Sequence, residues 1–217
     1  MEEKTVIVLG NARSGTSMIS GILSILGVNM NQQDNPHRGN PKGSFEDVDF
    51  LNVTMQMRMD MMAGIPLAKI RETYICQIED LLHHRRGLWG WKSALTHYSI
   101  DLFLPLLTNP HLVFVFRNFV HNSYSFVVHQ LERYGKCIAI EDAFLAISDS
   151  THVLIQKFLQ YPGLPKALVT YEDTKGNPVG VAQKLADFLQ VRFTAEMDQR
   201  VREFIMPEYS TLKGVQF

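Results

Sequence analysis

Two glycines, Gly10 and Gly15, bracket the run Asn11-Ala-Arg-Ser14, and two hydroxyl residues, Thr16 and Ser17, follow directly. Residues of these types in this order can hold a phosphate. A glycine-bracketed loop turns successive backbone N–H groups toward one point, and a helix opening behind it adds about half a positive charge there. The nucleoside-triphosphate loop, G-x-x-x-x-G-K-[ST], requires lysine where Thr16 stands. Here the cation is Arg13, inside the loop, so this cradle is not one that holds ATP with magnesium in the usual manner. A second candidate anion site runs from Arg117 to Ser125, eight positions on, with Asn118, His121 and Ser123 between them. P-loop kinases and GTPases often end the corresponding strand in a magnesium-positioning acid, so an arginine there reverses the sign of the site. Two anion sites without a metal acid point to a nucleotide phosphorylated at two positions.

Such residues must be positioned by strands and helices. Apolar runs of strand length occur at 5–9, 88–91, 112–116 and 167–171. Strands that are apolar throughout predict a parallel sheet covered on both faces, with the intervening helices as right-handed crossovers. The expected fold class is therefore α/β: three P-loop-like layers with a central, mostly parallel sheet flanked by helices. Helical patterns are read at 15–27, 47–63, 67–85, 98–107, 119–134, 141–160, 178–190 and 195–206. Asn118 can cap the helix after the third strand, and Asn177-Pro178 supplies a cap and a first-turn proline. The polar stretch 29–44 reads as a long loop, a candidate lid or substrate loop. Ligands of an open parallel sheet bind beyond the carboxyl ends of its strands. That rule gathers 11–17, Lys92 with Ser93, Arg117 with Asn118, and Tyr171-Glu172-Asp173 at one rim.

The chain has 217 residues, 46% of them hydrophobic, and no linker-like stretch, which predicts a single domain over 1–217. A net charge of -1 argues against a nucleic-acid partner or an anionic membrane surface. Cys76 and Cys137 match no metal-ligand spacing and are expected as buried free thiols of a reducing, cytoplasmic protein. The charged Met-Glu-Glu-Lys start and the lack of an apolar run of about 18 residues indicate neither export nor membrane insertion. The methionines at 55, 57, 59, 61 and 62 are expected in the core rather than in an adaptable pocket. His83-His84-Arg85-Arg86 is a basic cluster at a helix end, where it suits the dipole, and is assigned no ligand.

Taken together, these segments resemble the sulfotransferases that use 3′-phosphoadenosine 5′-phosphosulfate, over most of the chain. Gly10-Asn-Ala-Arg-Ser-Gly-Thr-Ser17 is similar to that family's 5′-phosphosulfate loop, in the arginine form common among bacterial and carbohydrate-acting members. The resemblance assigns Arg13, Ser14, Gly15, Thr16 and Ser17 to that phosphosulfate, and Arg117 and Ser125, in Phe116-Arg-Asn-Phe-Val-His-Asn-Ser-Tyr-Ser125, to the 3′-phosphate. It places Tyr171 of Tyr171-Glu-Asp near the adenine and gives Lys92 of Trp91-Lys92 the contact with the transferring sulfuryl group. Phe119 replaces the family's usual proline, and Ala94 stands where cytosolic members have a catalytic histidine. The general base is then expected at Glu46, in a segment similar to one that carries a glutamate in bacterial and carbohydrate-acting relatives, with His97 and Asp47 as rivals. Lys213-Gly214 faintly resembles a C-terminal Lys-Gly that meets the 3′-phosphate. The implied activity is metal-free, in-line sulfuryl transfer to a hydroxyl or amine of a small-molecule or carbohydrate acceptor, leaving adenosine 3′,5′-bisphosphate. The alternatives are a P-loop small-molecule kinase and a non-catalytic nucleotide-binding relative.

Overall fold

Strand β1 (Lys4–Gly10) lies inside a four-stranded sheet of order β2-β1-β3-β4, with β2 at Leu88–Lys92, β3 at Pro110–Phe116 and β4 at Lys166–Thr170. All three pairings are parallel, and their register sets Val8 beside Lys92 and Gly10 beside Val115. The computed structural model describes residues 3–31 and 43–205. Alternation along the strands builds two cores, because successive side chains leave a strand on opposite faces. Val6, Val8, Val113 and Val115 pack with helices α1 (Thr16–Ile25), α8 (Pro178–Leu189) and α9 (Ala195–Phe204). Ile7, Leu9, Leu112 and Phe114 pack on the other face, against α2 (Val48–Met62), α3 (Leu67–His83), α4 (Thr96–Phe103) and α6 (Ile140–Gln160). The three-layer α/β arrangement is the one the apolar strands predict.

The second core is aromatic. Phe50 stacks on Trp91 at 4.4 Å and 17°, with Trp89 and Phe103 against the pair. Trp91 immediately precedes Lys92, so this stack fixes the end of β2 that carries the lysine.

Several expectations are corrected. The helix expected over 98–107 begins earlier, as α4, and closes in a 3-10 turn at Leu104–Leu106. Pro105 lies in that turn and has no N–H for an i to i−4 bond. A helix not foreseen, α7 (Tyr171–Gly176), follows β4 at once, capped by Thr170, whose Oγ1 accepts from the Asp173 N–H at 3.0 Å. Cys76 and Cys137 are free but exposed, one on the outward side of α3 and the other beyond α5 (Phe119–Tyr134). Of the methionines, Met57 is buried and Met61 packs partly against the core, whereas Met55, Met59 and Met62 are exposed by 46%, 65% and 73%. At 100° per residue Met57 shares the face of Phe50 and Val53, while those three lie on the opposite side of α2. Most of the candidate lid, and Lys213-Gly214, lie outside the described residues.

Chain direction creates the crevice. From β1 the chain crosses to β2 on one side, then returns past β1 to β3 on the other. Loops at the carboxyl ends of β1 and β3 therefore diverge and leave a cleft between them, the place where such sheets take ligands.

Candidate functional site

The loop between β1 and α1 is held open by its neighbours. Arg13 has a φ of 67° and Gly15 one of 97°, so two left-handed residues with only Ser14 between them turn the chain sharply. For arginine that conformation costs about 1–3 kcal/mol and is kept only where surrounding contacts impose it. Three successive carbonyls are drawn aside: Asn11 O accepts from the Ser14 N–H at 3.1 Å, Ala12 O from Asn122 Nδ2 at 2.8 Å, and Arg13 O from Arg117 Nη1 at 2.9 Å. With these acceptors turned away, the N–H groups opening α1 are left to face the cleft. Gly15 caps that helix without a side-chain bond, and no acidic residue lies in the first turn to oppose an anion. Both glycines are sterically required. A Cβ at Gly10 would come within 2.8 Å of Val115 O, and one at Gly15 within 2.8 Å of Tyr171 Cδ2. Ser14 is placed differently from expectation, since its Oγ is buried, turned toward Gly10 and without a partner among the described residues.

The second candidate anion site adjoins the first. Arg117 links back to the loop through its bond to Arg13 O, and Arg13 Nε in turn reaches Ser125 Oγ at 3.4 Å. The Arg117 guanidinium carbon lies 4.2 Å from the Tyr171 ring centre. Arg117 Nε is buried with no partner among the described residues, a donor still to be used. Burial lowers the pKa of Arg117 from its ordinary value, and Tyr171 and Glu172 work against that shift. Asn118 Oδ1 accepts from the His121 N–H at 3.1 Å and so opens α5, as its position after the strand predicts. Glu172 Oε1 accepts from the Asn118 N–H at 3.0 Å, tying the start of α5 to the Tyr171-Glu172-Asp173 segment.

On the other side of the loop, Lys92 Nζ pairs with Glu46 Oε1 at 3.1 Å, with the lysine side chain 5% exposed and the glutamate 23%. The register beside Val8 puts Lys92 next to the strand that feeds the loop. Glu46 is delivered by a constrained segment. Phe45 before it is buried with a φ of 55°, unusual for a bulky residue, and its ring meets Phe204 edge-on at 5.7 Å. Asp47 after it is buried, caps α2 through the Asp49 and Phe50 N–H groups, and accepts from Arg85 Nη2 at 2.7 Å and Asn31 Nδ2 at 2.8 Å. Asp47 is thus committed to structure, and Arg85 of the basic cluster is its partner. Asp47→Asn keeps the cap and breaks the ion pair, leaving a largely enclosed guanidinium uncompensated. We expect a loss of about 2–4 kcal/mol of stability, measured by urea denaturation, with an unchanged midpoint denying the pair that role.

His97, the other rival base, does not line the rim. Its ring is fully buried, and Nε2 lies 2.9 Å from Ser150 Oγ. Burial first, and then the charges of Arg58 and Lys157, lower its pKa to about 3, so the ring is neutral at pH 7. The sequence places Asn11 and Glu172 at the rim without giving either a role, and it passes over Asn122 and Ser150; all four join the candidate site. For Glu172 a signal was present, since Thr170 and Asp173 form the start of a capping box and announce the helix that carries it. Asn122 and Ser150 act through partners distant in the chain and leave no local pattern.

The described residues include no helix long and apolar enough to cross a membrane. A family model described as "Sulfotransferase domain" matches residues 3–215. Solved structures share the fold. A sulfotransferase from Mycobacterium avium superposes with a TM-score of 0.60 at 14% identity, covering 94% of this chain and 68% of that one. The sulfotransferase domain from the curacin biosynthetic pathway gives 0.52 at 19% identity, covering 90% and 76%. Retinol dehydratase, in complex with androsterone and the inactive cofactor PAP, gives 0.53 at 15% identity. The chain covers 64% of that protein, and 93% of this chain is aligned. No curated protein matches the chain.

Proposed function

The chain belongs to the sulfotransferase domain family, and from that premise we propose that it moves a sulfuryl group from 3′-phosphoadenosine 5′-phosphosulfate to a hydroxyl or amine of a small-molecule or carbohydrate acceptor. One observation carries the reading. The guanidinium of Arg117 is hydrogen-bonded to the phosphate loop itself, so two sites of positive charge share one cleft between β1 and β3. A nucleoside carrying phosphates at both 3′ and 5′ positions fits that pair, and a single triphosphate chain does not require it.

The residues present fit such a donor. The open first turn of α1, Arg13 and Ser17 would hold the 5′ end, while Arg117, with its unused Nε, and Ser125 would hold the 3′-phosphate. Tyr171, stacked beneath Arg117 and filling the space over Gly15, would border the adenosine. When bound, the donor supplies an activated sulfuryl group. The protein supplies position and charge: Arg13, Lys92 and the loop N–H groups oppose the negative charge that gathers on the leaving phosphate, and need no covalent step. Glu46, beside Lys92, is the group that takes the proton from the acceptor oxygen or nitrogen. In the resting structure the two neutralise each other. An anion beside Lys92 competes for its charge and leaves Glu46 a free base, so donor binding and base activation are coupled.

A thermal-shift comparison tests the reading. Adenosine 3′,5′-bisphosphate at a hundredfold excess over its Kd should stabilise the protein by about 2.7 kcal/mol, and ATP with magnesium should not. Stabilisation by ATP with magnesium alone would select a kinase. Stabilisation by the bisphosphate, with no sulfate transfer across alcohols, phenols, amines and sugars, would select a binding protein.

A further inference from the structure

We propose that His97 is a positioning residue for the phosphate loop, acting through Ser150 on Asn11, the first residue after β1; the role in catalysis rests on the function proposed above. The argument is one of proton order. Thr151 Oγ1 donates to the Ile147 carbonyl at 2.7 Å, which uses its only proton and leaves it an acceptor. Asn11 must therefore present its Nδ2 to Thr151, at 2.7 Å, and this fixes which way its amide faces. Its Oδ1 then points at Ser150 Oγ, 2.6 Å away, and Ser150 donates to it. With its proton spent, Ser150 accepts from His97 Nε2 at 2.9 Å. The carbonyl of one turn of α6 thus sets every hydrogen in the chain, and the ring is a neutral Nε2–H tautomer.

The remaining ring nitrogen agrees. His97 Nδ1 is buried with no partner among the described residues. As an unprotonated lone pair it lacks one acceptor bond, whereas a proton there would be an enclosed donor without an acceptor, the costlier state. The cations that face the ring, Arg58 and Lys157, disfavour that proton further. His97 is therefore a fixed donor and not a base, and it stands at the far end of a line that begins in the cradle. Both hydrogen-bonding ends of the Asn11 side chain are taken by α6, at Ser150 and Thr151, while its backbone carbonyl holds the Ser14 N–H. Asn11 is thus the anchor from which the left-handed turn at Arg13 starts. Because fully connected buried networks hold one geometry strongly, loss of one member loosens the rest.

The test uses His97→Leu, His97→Gln and Ser150→Ala in the full chain. Amide hydrogen exchange of the ligand-free proteins is read on peptides covering 10–16, with peptides from β3 as reference. His97→Leu and Ser150→Ala should speed exchange in 10–16 by about tenfold with β3 unchanged, and His97→Gln, which can offer an N–H to Ser150, should restore slow exchange. Affinity for adenosine 3′,5′-bisphosphate should fall about tenfold in the first two and recover in the third. Should His97→Leu fail to fold, Ser150→Ala alone decides, since alanine suits the interior of α6. Wild-type exchange of 10–16 in Ser150→Ala, or a glutamine variant as impaired as leucine, overturns the proposal. A wild-type protein that ignores the bisphosphate refutes the proposed function instead, and the exchange result still decides the role of His97.

Discussion

Arg117→Ala should weaken binding of adenosine 3′,5′-bisphosphate by at least about a hundredfold, the largest effect of any single substitution outside the loop. A charge-assisted hydrogen bond is worth about 1.5–3 kcal/mol, and a bidentate grip on a phosphate provides two of them. Each 1.4 kcal/mol is a factor of ten in affinity, so the loss of both reaches two decades. The substitution does further harm within the protein. Arg13 O loses its donor at 2.9 Å, and the ring of Tyr171 loses the planar cation above it. Arg117→Lys should recover only part of the affinity, because an ammonium keeps the charge but cannot bond the Arg13 carbonyl and a phosphate with one rigid fork. Isothermal titration of the three proteins, with denaturation curves to confirm folding, makes the measurement. An alanine variant that binds as the parent does would remove Arg117 from the site and end the two-phosphate reading.

Glu46→Gln should lower the transfer rate by about a hundredfold to ten-thousandfold, the range for a positioned general base. The replacement has the same shape and can still accept from Lys92, so the cleft is kept and the basicity is lost. Donor binding should move the other way. Lys92 is 4% exposed, and its ion pair with Glu46 holds its charge in the resting state. With a neutral amide in place of the carboxylate, less negative charge competes with a bound anion for Lys92, and nucleotide affinity should rise modestly. A fall in rate with equal or tighter nucleotide binding is the signature of a base. Parallel losses of both would instead describe Glu46 as a scaffold for Lys92, and an unchanged rate would place the base elsewhere.

These expectations arise from different parts of the reading. The loop 10–17, Arg117 with Ser125, and the Trp91-Lys92 pair were legible because each is a local pattern at the end of an apolar strand, and strand ends are where the fold gathers ligands. Most helix positions were legible to within a few residues, because α5, α6 and α8 carry strong apolar periodicity and the caps of α5 and α8, Asn118 and Asn177, are short-range signals. Composition misjudged what depends on facing. Cys76 and three of the methionines sit on outward helix faces, and amino-acid type alone does not say which face a helix turns to the core.

The sequence by itself determined the sheet and the loop after its first strand, and it marked two candidate positions for anions, since these follow from periodicity and from residue types close together in the chain. Only the tertiary structure decided which carboxylate is available. Glu46 and Asp47 are adjacent and alike in sequence, yet one points to Lys92 in the cleft and the other is consumed by Arg85, Asn31 and the start of α2. It also placed His97 behind the loop, buried against Ser150. Partners 16 to 139 positions away settle these roles, and the free energy of a buried polar group is fixed by the partners that enclose it, which no local pattern of residues records.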